Sequence, residues 1–174
     1  MPETRKQYYL EPGRFEGEAR VMEVREAGNG FAVILDGSLF YPEGGGQPCD
    51  LGSIDDAALS FVTEKDGLIL HMLESEPDFG PGDRVLMKVD RVRRIDHSQQ
   101  HSGQHLLSAI LERRYGIHTL SFHLGLSYST IDVTCPAMDQ EMIKALEDEA
   151  EVFIAASHPY IPHVCPPEDP NSFP

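Results

Sequence analysis

Short apolar runs broken by turn-forming residues crowd the first ninety positions of this 174-residue chain, and they constrain its fold more than any other feature. Residues 18–25 partly alternate apolar and polar side chains, as a strand with one buried face does. Asn29-Gly30 is a hairpin signal before the apolar run 31–35, and Asp66-Gly67 is another between runs 59–64 and 68–73. Gly80-Pro81-Gly82-Asp83 reads as a turn leading into a last run, 84–90. Strands this short, joined this tightly, predict a small barrel or a strongly bent sheet.

The pattern then changes. Asp96 or Ser98 is a candidate N-cap for a helix running to about Tyr115, with Gly116 as its stop. Leu106, Leu107, Ile110 and Leu111 supply its apolar face. Residues 119–125 and 128–134 read as a pair of strands. Asp139 caps a second helix to about Ala156, with Ile143, Leu146, Ala150, Phe153 and Ile154 as its buried stripe, and 160–164 begins one further strand candidate. The expected class is α+β. A β-rich, barrel-like subdomain spans 1–92, and an α/β subdomain with two helices packed on an antiparallel sheet spans 93–165. A Pro-rich linker over 166–174 follows, so the chain reads as the N-terminal piece of a longer protein.

Composition narrows the setting. At 40% hydrophobic the chain can bury a core. No apolar run approaches the roughly 20 residues of a membrane span, and residues 1–10 lack a signal-peptide pattern. Three scattered cysteines, Cys49, Cys135 and Cys165, fit a reducing compartment. These features predict a cytoplasmic protein with no membrane partner. The net charge of −15 runs against the basic face that nucleic-acid binders use to neutralise phosphate. Any such partner must be gripped locally; the candidates are Arg91, Arg93 and Arg94, with Arg113 and Arg114 at the far end of the helix.

Two motifs carry chemistry. His101 and His105 are four residues apart, about one helical turn, so both imidazoles can face one way and offer two nitrogen ligands to a metal. Gly103 between them leaves room for close approach. This is not the zinc-protease pattern, because Ser102 stands where a glutamate would be needed. Two ligands do not complete a zinc site, and none of His123, Cys135, His158, His163 and Cys165 has a spacing that singles it out as the next. The second motif is Phe40-Tyr-Pro-Glu-Gly-Gly-Gly-Gln-Pro-Cys49, whose three glycines permit backbone conformations closed to other residues. It is not a phosphate loop, since no Lys-Ser/Thr follows. Ser38, Tyr41, Glu43 and Gln47 surround it with hydrogen-bonding groups.

FYPEGGGQP, RRIDHSQQHSGQHLL and SFHLGLSYSTID, in this order, resemble the editing domain of alanyl-tRNA synthetases and, more closely, the free-standing alanyl-tRNA editing proteins. The resemblance runs from about Phe31 to Asp132 and weakens toward Val164. It implies hydrolysis of the ester that joins serine or glycine wrongly to tRNA(Ala), and a tRNA acceptor end as partner. It implies a Zn2+ held by His101 and His105 together with a Cys and a His of a later CxxxH segment. It implies an amino-acid pocket lined by Tyr41, Gly44, Gly45, Gly46 and Gln47, with Ser38 where the family has a threonine that reads the serine hydroxyl. His123 is the candidate for a polar or basic group across that pocket. No CxxxH is present in the sequence, so the ligand set is expected to be incomplete and the activity of these residues alone weak. Two rival readings stand beside this one: a non-catalytic tRNA- or protein-binding module that keeps the fold, and a metal hydrolase for another ester. No ATP-binding signature is visible, which speaks against a ligase.

Overall fold

A computed structural model of the chain describes residues 3–125 and 128–158. In chain order the elements are β1 (Arg5–Lys6), α1 (Gln7–Leu10), β2 (Glu16–Ala27), β3 (Gly30–Leu35), β4 (Gly37–Ser38), β5 (Gly52–Ile54), β6 (Ala57–Lys65), β7 (Leu68–Leu73) and β8 (Arg84–Val89). Then come α2 (Arg91–Tyr115), β9 (Thr119–Leu124), β10 (Ser129–Val133) and α3 (Gln140–Ala155). The class is α+β, as the alternating runs predict.

Six strands close into an antiparallel barrel in the order β2-β3-β7-β6-β5-β8. Closure depends on β2, whose first half pairs with β8 and whose second half pairs with β3, with a bulge between Val21 and Glu23. A strand that changes partner along its length must bend, and a bulge supplies the bend. The β6–β7 hairpin turns on Asp66 and Gly67, both at positive φ (52° and 75°), as the Asp-Gly pair predicts. The hairpin between β2 and β3 turns one residue earlier than its signal, on Gly28 (φ 62°) and Asn29, because Ala27 pairs with Gly30. Val21, Val33, Leu35, Phe40, Ile54, Val62, Ile69 and Met87 fill the barrel.

The N-terminal segment escaped the strand reading. β1 lies parallel to β4 and forms a two-stranded patch with it.

The long helix α2 leaves the barrel directly after β8. It starts at Arg91, five residues before the candidate cap at Asp96. Asp90 is the cap: its carboxylate accepts the Arg93 N–H at 3.1 Å, while its own N–H donates to Leu51 O. The early turns show no apolar stripe because the side chains they bury, Arg94 and His97, are polar. Gly116, at φ 64°, ends the helix as expected. The far half of α2 packs on α3 and on the β9–β10 hairpin around Ile110, Leu111, Ile117, Leu146 and Ala150. Asp139 caps α3 through the Met142 N–H. The expected stripe of α3 is only half buried: Phe153 and Ile154 are 41% and 65% exposed. No described helix is long and apolar enough to cross a membrane. The strand candidate at 160–164, His163, Cys165 and the linker at 166–174 lie outside the described residues.

Candidate functional site

The glycine motif folds as a tight turn. Gly44 and Gln47 exchange two backbone hydrogen bonds (3.1 and 3.0 Å). Gly45 and Gly46 between them sit at φ 60° and 77°, the signature of a type I′ turn that glycine adopts without strain. Gly46 has a second reason to be glycine. A Cβ there would stand 2.6 Å from Phe122 O, and Gly46 O accepts the Leu124 N–H at 3.1 Å. The turn is thus docked on β9. On its other flank the Tyr41 hydroxyl donates to Gly44 O at 3.3 Å. Tyr41 packs edge-on against Tyr8 and Tyr9, and burial raises its phenol pKa. Gly45 and Gly46 remain exposed at the tip.

The histidine pair meets this turn through one contact. Gln47 Oε1 lies 2.8 Å from His101 Nδ1. An amide oxygen only accepts, so Nδ1 carries the proton and Nε2 keeps its lone pair. The His101 and His105 rings stack with centroids 4.9 Å apart, and Phe122 stands 5.7 Å from His101. Burial, followed by the neighbouring His105, pushes the His101 pKa down, which also favours the neutral ring. A neutral imidazole with its second nitrogen fixed by a partner is the form that ligates metals. Two imidazoles, those of His101 and His105, fit a zinc ion chemically. Among the described residues no group of three or more His, Cys, Asp or Glu comes together to complete a site. Gly103 faces open space and lines a cleft of about 380 Å³ with Gln99, Gln100, Gln104 and Phe122.

The structure places several expected site residues differently. Ser38 is fully buried. It donates to His71 Nε2 at 2.8 Å and accepts the Phe40 N–H at 3.0 Å. Its strand, β4, pairs with β1 through Lys6. His71 in turn gives its Nδ1 proton to Val33 O at 2.9 Å, and burial pushes its pKa down to about 4. Gln47 is 6% exposed and faces His101 rather than open solvent. His123 is exposed on β9. Strand alternation turns it away from the face on which its neighbour Phe122 meets His101.

The arginines also divide. Arg91 is exposed, with its guanidinium 5.6 Å above the Phe15 ring, and remains open to solvent. Arg93 donates to Cys49 O at 3.0 Å. Arg94 is no phosphate grip: it is buried and ion-paired with Asp50 through both Nε and Nη2, and Nη2 also reaches Leu39 O at 2.6 Å. Asp50 completes the node by accepting the Tyr41 N–H at 2.6 Å. Sequence reasoning missed His71 and Asp50. The only available signal was their polarity inside otherwise apolar or helical runs. His97 is buried with Nδ1 unpaired, and burial lowers its pKa.

Known proteins resemble this chain over much of its length. Residues 13–93 match the family described as tRNA synthetases class II (A), which covers the barrel and the glycine turn. The alanyl-tRNA editing protein Aarsd1 of Mus musculus is 42% identical over 123 residues, 71% of this chain and 29% of the relative. Aarsd1-B of Xenopus laevis is 38% identical over 143 residues, 82% of this chain and 34% of the relative. AlaX-L of Pyrococcus horikoshii is 33% identical over 159 residues, 88% of this chain and 39% of the relative. Over most of its length the chain is similar to alanyl-tRNA editing proteins, and it spans less than two fifths of the length of each of these relatives.

Proposed function

We propose that this chain contributes the glycine turn and the first metal-ligand pair of an editing hydrolase, one that removes wrongly attached serine or glycine from tRNA(Ala). The observation that carries the reading is the Gln47–His101 hydrogen bond, which joins the two motifs into one site. His101 and His105 would hold a zinc ion together with donors from outside the described residues. Such an ion supplies Lewis acidity, activation of water, or a template for the ester. Gln47 keeps Nε2 of His101 available. The exposed tip at Gly45 and Gly46 offers main chain beside the ester without side-chain obstruction. Water attacks the ester carbonyl, the bond to the ribose oxygen breaks, and free amino acid leaves the tRNA acceptor end. With Ser38 committed to His71, recognition of a seryl hydroxyl falls to groups near the tip. A site that hydrogen-bonds that hydroxyl leaves polar groups unpaired when alanine enters, which discriminates against alanine. Arg91 is the arginine of its trio best exposed to meet a tRNA phosphate, and the cytoplasm is the proposed setting.

The test is deacylation of seryl-, glycyl- and alanyl-tRNA(Ala) by the whole protein with zinc, beside a His101→Ala/His105→Ala variant. The expected result is rapid loss of serine or glycine, retention of alanine, and a fall of roughly 100-fold or more in the variant. Unchanged serine release in the variant removes the metal role. No release by the wild type favours the binding-module reading.

A further inference from the structure

We propose that the buried Arg94–Asp50 ion pair is a positioning pair for the site, holding His101 against the glycine turn from two helical turns away.

The contacts close a four-cornered frame. Asp50 follows Gln47 by three residues in the chain, and Arg94 precedes His101 by seven on α2. Seven residues is close to two full turns, so Arg94 and His101 share a face of the helix about 10 Å apart. Asp50 meets Arg94 at one corner, and Gln47 meets His101 at the other. Between them on the same face lies His97, itself buried. The corner at Asp50 is rigid. The carboxylate takes Arg94 Nε at 2.9 and 3.0 Å and the Tyr41 N–H at 2.6 Å, while Arg94 also donates to Leu39 O. Arg93 adds a bond to Cys49 O. The strap 39–41, which leads into the glycine turn, and the start of α2 are therefore one body. The cation is a fork, and a fork fixes direction as well as distance in a way that a lysine cannot. Among the described residues, nothing in the lobe beyond α2 makes a comparable charged hold on Arg94 or its neighbours. The placement of His101 on Gln47 is set from this corner.

The structural part of this inference stands on the geometry alone; its catalytic part rests on the editing reading. Two variants test it. Arg94→Lys keeps the charge and removes the fork. Asp50→Asn/Arg94→Gln replaces the pair by two neutral hydrogen-bonding groups, and decides the matter if Arg94→Lys does not fold. The first readout is the 15N spectrum of the His101 imidazole in the metal-free 174-residue chain. The wild type should show the Nδ1–H tautomer. The folded variants should show a mixture shifted toward Nε2–H. The second readout is turnover of seryl-tRNA(Ala) by the whole protein. There kcat should fall on the order of 10- to 100-fold, with KM changed by less than about threefold. A folded variant that keeps the wild-type tautomer and kcat overturns the proposal. A tautomer shift in the variants of a protein whose wild type does not deacylate upholds the positioning role and overturns the editing reading instead.

Discussion

At the barrel, four polar or charged side chains that leave water find partners: Ser38, His71 and Asp50 are fully buried, Arg94 is 5% exposed, and each is hydrogen-bonded. In the helical lobe, apolar side chains remain in water: Leu120, Tyr128, Val152 and Ile154 are all more than 60% exposed. The barrel closes on itself. The lobe has a small core and holds its place through what ties it to the barrel. Those ties are Arg94 on Asp50, Arg93 on Cys49, Leu124 on Gly46, and Gln47 on His101. The histidine pair therefore owes its position to the barrel more than to the packing of its own lobe.

The largest effect should come from breaking the interior pair. Asp50→Ala leaves a buried guanidinium without its counter-charge, which costs roughly 3–5 kcal/mol. Chemical unfolding followed by circular dichroism should show it, and a loss below about 1 kcal/mol would mean that water already reaches Arg94. Next comes the contrast between cores. Ile69→Ala, at a fully buried site in the barrel, should cost about 2–5 kcal/mol, and Leu146→Ala, at a 9% exposed site in the lobe, should sit near the lower end. Equal losses would contradict the difference in closure.

His71 adds a pH signature. Its folded pKa of about 4 lies below the ordinary 6.5, so the unfolded chain takes up a proton that the folded chain refuses. The contribution is fully present above about pH 6.5 and is lost as pH falls toward 4, amounting to roughly 3 kcal/mol. His71→Asn should flatten this part of the stability–pH curve; a curve parallel to the wild type would mean that His71 is protonated in the folded barrel. The smallest effect belongs to the lobe surface. Val152→Ser, at a side chain already 71% exposed, should change stability by less than about 0.5 kcal/mol.

The same contrast explains what could be read in the sequence. Strands and hairpins of the barrel announce themselves because their buried residues are apolar and alternate, and Asp66-Gly67 has only one good use. The two histidines are visible because a four-residue spacing on a helix has a physical meaning. The first turns of α2 are hidden because they bury Arg94 and His97, so no apolar stripe marks them. The burial of Ser38 is hidden because it goes with a bond to His71, distant in the sequence. Contacts between polar residues distant in sequence, such as Asp50 with Arg94 or Gln47 with His101, leave no periodic trace.

The account turns on the glycine turn and the histidine helix acting as one site. The most direct test is a double-mutant cycle on Gln47 and His101 in the whole protein, using Gln47→Ala, His101→Ala and both together, read by hydrolysis of seryl-tRNA(Ala). Residues that work as a unit are not additive. The predicted result is that the double variant is no slower than His101→Ala alone. Losses that multiply, with the double variant slower by the product of the two single effects, would contradict the claim that Gln47 acts through His101.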